Sequence, residues 1–315
     1  MAVPRQLDTV AVVGNGIIGH GIAQVFAMAG KQVRLIGRSK SSLGKALDKI
    51  CASLDDFRRH ELLTPDEAVA ALARITTSVA MEDAAAAQLV FESVPFDIAL
   101  KHEIYAQLDV ICPPPTVIGS ASSRPVSAMI QHIKGRERVV ATHFYVPPQM
   151  VPLVEVCGGP ETSKDVVPWI CGHLKAAGKQ PAIIEKEVHG FIGNRLQFAM
   201  LREAWSLWAS GTASAEAIDT VVRNTYGRRL GITGPLESAD MGGLDTMANY
   251  AAYIDPHIED AKAPPQKLID LVAKGHRGLP TGHGIYDWTK RDGAALQEAR
   301  MEELFRWLKR DRAAR

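Results

Sequence analysis

Residues 9–37 read TVAVVGNGIIGHGIAQVFAMAGKQVRLIG, and the alternation of apolar and glycine runs within them decides the fold. Thr9–Val13 is a continuous β-branched and small apolar run, as a parallel strand covered on both faces requires. Ile17–Ala29 carries small and apolar residues at helical spacing, and Gly30 stands where a helix ends on a residue without Cβ. Lys31–Ile36 is a second strand. Between the first strand and the helix lie Gly14, Gly16 and Gly19, in Gly-x-Gly-x-x-Gly spacing. Glycines at that spacing also mark ordinary turns. Here they join a strand to a helix at the start of a βαβ unit, the setting of a dinucleotide-binding turn. The first glycine permits the tight turn and the second lets the backbone at Ile17 and Ile18 approach a pyrophosphate. The third lets helix and strand pack closely. The helix N-terminus then faces the phosphates with free N–H groups.

The same alternation continues outward. A helix is expected from about Ser41 to Arg59. TPDEAVAALARI opens on a capping box, with Thr64 as N-cap, Pro65 in the first turn and Glu67 three residues on. A strand is expected near Leu89–Ser93, then an amphipathic helix in ALKHEIYAQLDVI that CPPP stops before the strand TVIGS. RVVATHFYV and VPLVEVC are two more strands, joined by a loop containing Pro147 and Pro148. Strand–helix alternation to about residue 185 predicts a parallel, doubly wound α/β sheet. From His189 the patterns are helical. Phe198, Leu201, Trp205 and Trp208 load one apolar helix, Ser214 is a candidate N-cap, and Met301, Leu304, Phe305 and Leu308 give the last helix a stripe at i, i+3, i+4, i+7. The expected division is a dinucleotide-binding domain over 1–188 and a helical domain over 189–315.

Where the second strand ends, a dinucleotide-binding unit normally places a carboxylate that bonds the adenosine ribose. This chain has Gly37-Arg38-Ser39-Lys40 there. Glycine removes the repulsion a 2′-phosphate would meet. Arg38 can form a charge-assisted contact with phosphate and stack on adenine, and Ser39 can donate its hydroxyl. Those features favour NADP over NAD; the competing reading makes Arg38 and Lys40 solvated loop charges.

Composition sets the frame. The 315 residues are 46% hydrophobic and 23% charged, ordinary for a globular chain, and suffice for two domains. A net charge of +1 gives no electrostatic reason to expect nucleic acid or an acidic membrane as partner. No stretch approaches the roughly 18 apolar residues of a membrane span. The four cysteines, Cys51, Cys112, Cys157 and Cys171, show no metal-ligand spacing, so no metal is expected and reduced thiols in a cytoplasmic enzyme are.

A dehydrogenase needs an acceptor for the alcohol proton while hydride leaves carbon, and imidazole suits that task near neutral pH. Of ten histidines, His143 follows the apolar run Val139–Thr142, at the carboxyl end of a strand where open α/β sheets bind ligands. Glu155 lies within the apolar strand VPLVEVC, where a carboxylate is costly unless paired. An imidazole that it orients is one partner; a backbone group or a surface arginine is another, with His143 then a satisfied core residue. GSASSRP and Asn194, in GFIGNRLQ, can hold a substrate oxygen or merely cap.

Taken together, VVGNGIIGHGIAQVFAMAG, FESVP…LKHEIYAQLD, SASS, HFYVPPQMVPLVEV, KEVHGFIGNRLQFAMLREAW, GPLESADMGGLDT and TGHGIYDW make the chain resemble the L-3-hydroxyacyl-CoA dehydrogenase family. Within it, the likeness is to soluble bacterial members and to the lambda-crystallin (L-gulonate 3-dehydrogenase) branch. The resemblance implies a Rossmann-type sheet followed by an all-helical domain that makes a homodimer and closes the substrate cleft. It implies that His143 is the catalytic base and Glu155 its partner. It implies that Ser122 bonds the substrate oxygen, that Asn194 belongs to the active site and that Lys101 lies near the nicotinamide. The implied reaction interconverts an L-3-hydroxyacyl thioester and its 3-oxo form. Alternatives are a small free 3-hydroxy or 3-oxo compound as substrate, or a non-catalytic dinucleotide-binding role. The chain departs from the family at Gly37, where aspartate and NAD are usual, and at Phe96, Ser120, Val146 and His189. The family motifs SNTSS and HFFNP or HWFNP thus become GSASS and HFYVP. Phe96 and Val146 make one wall of the expected cleft more apolar.

Overall fold

The computed structural model describes residues 2–313. Eight strands form one sheet: β1 (Thr9–Val13), β2 (Gln32–Ile36), β3 (Ile75–Ser78), β4 (Leu89–Glu92), β5 (Val117–Ser120), β6 (Val139–Phe144), β7 (Leu153–Gly158) and β8 (Gln180–Ile183). Their order is β3-β2-β1-β4-β5-β6-β7-β8. The helices among them are α1 (Ile17–Met28), α2 (Lys40–Arg59), α3 (Pro65–Ala73), α4 (Ile98–Ile111) and α5 (Val166–Ala176). Alternate residues of each strand enter opposite cores. Val10, Val12, Phe91 and Val140 join the layer that holds α1 and α2, whereas Ala11, Val13, Val90 and Ala141 join the layer that holds α4. This two-sided burial is why the strands read as continuous apolar runs.

The sheet is mostly parallel, not parallel throughout as the sequence predicts, because β7 runs antiparallel to β6. The eight residues between them are too few for the crossover that a parallel pair needs. Two strands escaped the sequence reading. β3, the short edge strand ITTS, has two exposed residues, and β8, QPAI, contains Pro181. Edge strands are short and tolerate proline, so they lack the apolar signature of central ones. The Thr64–Glu67 capping box opens α3, and Ser214 caps a later helix by accepting from the Ala217 N–H.

The chain divides into two compact units: residues up to Ile192 with those from Arg300 onward, and Gly193–Ala299. The second unit carries most of α6 (Phe191–Ala209), then α7 (Ala215–Asn224), α8 (Tyr226–Arg229), α9 (Pro235–Met241), α10 (Leu244–Ile254), α11 (Gln266–Ala273) and the start of α12 (Gly293–Ala313). It holds no named strand among the described residues. The end of α12 belongs to the first unit, a return that the 1–188/189–315 division does not include. Its apolar stripe explains the return: Phe305 is buried with Phe57, Leu62 and Met150, flanked by Met301, Leu304 and Leu308. No helix among the described residues is long and apolar enough to cross a membrane.

Candidate active site

The glycine turn has the geometry its spacing calls for. Gly14 has φ +102°, and a Cβ there would lie 2.7 Å from the Ser93 carbonyl oxygen. A Cβ on Gly19 would lie 1.8 Å from the Gly14 carbonyl oxygen, so only glycine lets α1 start this close to β1. Gly16 meets nothing within 4 Å, and it begins α1 without a side-chain cap. The first N–H groups of α1, at Ile17, Ile18 and Gly19, therefore lack an intrahelical acceptor and a capping side chain. An open glycine beside a helix N-terminus is a cradle that fits a dinucleotide pyrophosphate.

At the end of β2 the space beside Gly37 is taken by neighbours. A Cβ there would sit 2.8 Å from Asn15 Oδ1 and 2.9 Å from Leu43 Cδ2. Ser39 is the N-cap of α2, accepting from the Ser42 N–H at 3.2 Å while its own hydroxyl proton stays free to donate. Arg38, Ser39 and Lys40 are exposed.

β6 and β7 pair in the register that sets His143 directly opposite Glu155. Residues so paired project from the same face of the sheet. His143 Nδ1 lies 2.8 Å from Glu155 Oε2, with both side chains buried. A carboxylate only accepts, so in the neutral ring Nδ1 carries the proton and Nε2 keeps its lone pair. Glu155 is the acceptor of two more donors. The Tyr145 hydroxyl donates to Oε2 at 3.1 Å and the Ile192 N–H donates to Oε1 at 2.9 Å. Phe191, fully buried, holds φ +49° just before Ile192, and its ring lies 5.9 Å from that of His143. A non-glycine residue in the left-handed region is strained. Here the strain accompanies the turn that aims the Ile192 N–H at Glu155.

The neighbouring strand ends carry a second polar cluster on the same face. Glu92, at the end of β4, is paired in register with Ser120 at the end of β5. The Glu92 carboxylate is wholly buried and accepts from Lys101 Nζ at 2.7 Å, the Val94 N–H at 2.9 Å, the Tyr105 hydroxyl at 3.0 Å and the Ser120 hydroxyl at 3.3 Å. Burial, aided by the Glu92 charge, pushes the Tyr105 hydroxyl well above its ordinary value and keeps it a donor. Ser120 Oγ in turn accepts from the Ser122 N–H at 3.3 Å, and Ser122 Oγ from the Arg124 N–H at 3.3 Å. The cluster thus braces the turn that carries Ser122.

His143, Glu155 and Ser122 all lie in the first unit, at or beside the carboxyl ends of β5 and β6. Lys101 is there too, buried and committed to Glu92 and the Val94 carbonyl. Asn194 is half-buried near the start of α6, in the second unit. Sequence reasoning gave no role to Glu92, Tyr105 or Tyr145. Tyr145 left a visible signal, a phenol in HFYVP where the family motifs have phenylalanine. Glu92 left one as well, a carboxylate closing the apolar run LVFE.

Residues 9–188 match the model of the 3-hydroxyacyl-CoA dehydrogenase NAD binding domain, and residues 190–288 that of the 3-hydroxyacyl-CoA dehydrogenase C-terminal domain. The 5-formyl-3-hydroxy-2-methylpyridine 4-carboxylate 5-dehydrogenase of Mesorhizobium japonicum is 27% identical over 95% of this chain and 96% of its own. A solved structure of an enzyme of that activity, described as an NAD+ dependent dismutase, superposes with a TM-score of 0.88 at 26% identity, over 96% of this chain and 99% of the other. L-carnitine dehydrogenase of Streptomyces griseus is 33% identical over 90% of this chain and 86% of its own. The (S)-3-hydroxybutyryl-CoA dehydrogenase PaaH1 of Ralstonia eutropha superposes with a TM-score of 0.75 at 32% identity, over 89% and 99% of the two chains. With the strand–turn–helix cradle and both halves of its length matched, the chain belongs to the 3-hydroxyacyl-CoA dehydrogenase family of oxidoreductases, an NAD-binding domain followed by the family's C-terminal domain.

Proposed function

We propose that the chain interconverts an L-3-hydroxy compound and its 3-oxo form, with His143 as the proton acceptor of the oxidation. One observation carries the assignment: the imidazole is held by a buried carboxylate at its Nδ1, which leaves Nε2 available as a base near the carboxyl end of β6. A nicotinamide cofactor bound at Gly14–Gly19 supplies the hydride acceptor. In oxidation the alcohol proton moves to His143 Nε2, and Glu155 stabilises the imidazolium that results. Ser122 donates to the substrate oxygen. Asn194 contributes to positioning from the start of α6. Lys101 acts at the nicotinamide end by holding the Glu92 carboxylate at the end of β4 and the Val94 carbonyl in the loop that follows.

The cofactor is NADP(H) by preference on this reading. No carboxylate stands at the end of β2, and Arg38 and Ser39 are exposed beside the N-terminus of α2. The substrate is a CoA thioester or, as the carnitine and pyridine-carboxylate relatives suggest, a small free acid. The second unit exposes Leu236, Met241 and Tyr253, each more than 70% accessible, which supports assembly as a homodimer; the cytoplasm is the location this reading assigns. The test is steady-state kinetics with NADH and NADPH against acetoacetyl-CoA and free 3-oxo acids. Turnover that His143→Ala lowers by about 10² to 10⁴ supports the assignment. Near-wild-type turnover in a folded His143→Ala protein removes it, and a clear preference for NADH removes the NADP reading.

A further inference from the structure

The loop that carries Ser122 also carries a cation with no acid to pair with. Arg124 lies two residues after Ser122, and its N–H is tied to the Ser122 hydroxyl oxygen. Its guanidinium sits 4.1 Å above the ring of Phe96, on the loop that follows β4. Among the described residues its side chain makes no salt bridge or hydrogen bond, and its Nε is buried without a partner. The other buried cations of the first unit each donate to an acid or a carbonyl, although the Arg138 Nε is also buried without a partner. Lys101 has Glu92, Arg138 has Asp109 and backbone carbonyls, and Lys179 has two carbonyls. A half-buried guanidinium that is stacked yet unpaired, on an active-site loop, is poised for an anion.

The position of that loop relative to the base is fixed by short links. The Ser123 carbonyl accepts from the Gly190 N–H at 3.0 Å, and the next residue, Phe191, packs on the His143 ring. Ser122 and Arg124 thus lie on a loop tied to the segment that packs against the base. With Ser122 on the substrate oxygen, as proposed above, a cation two residues on lies near C3, whereas the phosphates of a CoA carrier lie beyond the whole pantetheine arm. Phe96 supplies a flat apolar platform, 61% exposed, that fixes the guanidinium and leaves its edge free.

We propose that Arg124 selects substrates bearing a carboxylate close to the 3-hydroxy carbon. This rests on the reaction proposed above and names its substrate class. The carboxylate is either C1 of a free 3-hydroxy acid or the far carboxylate of a dicarboxylic acyl thioester. Both present the same planar anion to the same fork.

The test compares wild type, Arg124→Met and Arg124→Lys on two matched pairs: 3-oxobutanoate with its methyl ester, and 3-oxoadipyl-CoA with acetoacetyl-CoA. Arg124→Met lowers kcat/KM for the carboxylate member of one pair by about 10- to 100-fold, chiefly through KM. The neutral member stays within about threefold, and Arg124→Lys recovers part of the loss. The pair that responds identifies the source of the carboxylate. Equal losses on acid and ester, or a rise confined to the KM of the cofactor, overturns the proposal. If wild type turns over none of the four compounds, the proposed reaction fails, and calorimetry with malonate decides the role of Arg124 separately. Malonate binding weakened about tenfold or more in Arg124→Met supports carboxylate recognition, and unchanged binding refutes it.

Discussion

Replacing Glu155 by Gln exchanges one carboxylate oxygen for NH₂ and preserves the shape of the site, so the consequence can be worked out from the hydrogen bonds. Oε1 accepts from the Ile192 N–H at 2.9 Å, while Oε2 accepts from His143 Nδ1 at 2.8 Å and from the Tyr145 hydroxyl at 3.1 Å. An amide has one oxygen. If it faces Ile192, the NH₂ faces His143 and forces the proton from Nδ1 to Nε2, which abolishes the base. If it faces His143, two N–H donors collide at Ile192. In both cases the negative charge that stabilises the imidazolium is gone. Charge-assisted hydrogen bonds contribute about 1.5–3 kcal/mol each, and here the carboxylate acts on a positive charge that exists only once the proton has moved. A loss of about 3–5 kcal/mol follows, or about 10² to 10⁴ in kcat with KM little changed. Single-turnover hydride transfer, followed by nicotinamide absorbance, measures the chemical step, and circular dichroism confirms the fold. A folded Glu155→Gln enzyme with kcat within about tenfold of wild type would refute the reasoning.

Gly37→Asp restores a carboxylate to the end of β2. The contacts it makes are with the side-chain ends of Asn15 and Leu43, which can move. The KM for NADPH should rise about tenfold or more relative to that for NADH, and an unchanged ratio sinks the 2′-phosphate reading. Asp109 is held by the Lys134 and Gly135 N–H groups and by Arg138. Burial pushes its carboxyl upward, but these partners outweigh that and set it below its ordinary value. A depressed carboxyl contributes stability above its unfolded pKa and loses it as pH falls through the folded one. Asp109→Asn should therefore destabilise by about 1–3 kcal/mol near neutrality and narrow its gap to wild type below about pH 4. Thermal melts across that range check this, and a gap independent of pH contradicts it. Cys112 and Cys157 have thiols pushed up to about 11 by burial. In the folded protein both should resist a thiol-specific reagent near pH 8 and react only on unfolding; fast native labelling of either would show the interior is open.

Most of the first unit was legible because its signals are local. The β-branched run at Thr9–Val13, the three glycines and the capping box at Thr64 each follow from neighbours a few residues apart. The edge strands β3 and β8 were not legible, because an edge strand is not buried on both faces and so does not need an apolar sequence. The return of α12 to the first unit was invisible for another reason. An amphipathic stripe declares that a partner exists but not which one.

For the site, the sequence alone determined the cradle and the absence of a carboxylate at Gly37, since both are statements about residue type at a fixed spacing. It also put forward His143 and Glu155 as candidates, each with an ordinary structural alternative. Only the tertiary structure brought the two together. The antiparallel register of β6 and β7 sets the two side chains face to face, and a slip of one residue would send one of them to the other side of the sheet. The same is true of the Glu92–Ser120 pairing and of the unpaired guanidinium of Arg124. Spacing along the chain fixes what a turn or a helix can do. Which buried charges meet, and which are left waiting, is fixed by strand register and packing, which no short stretch of sequence contains.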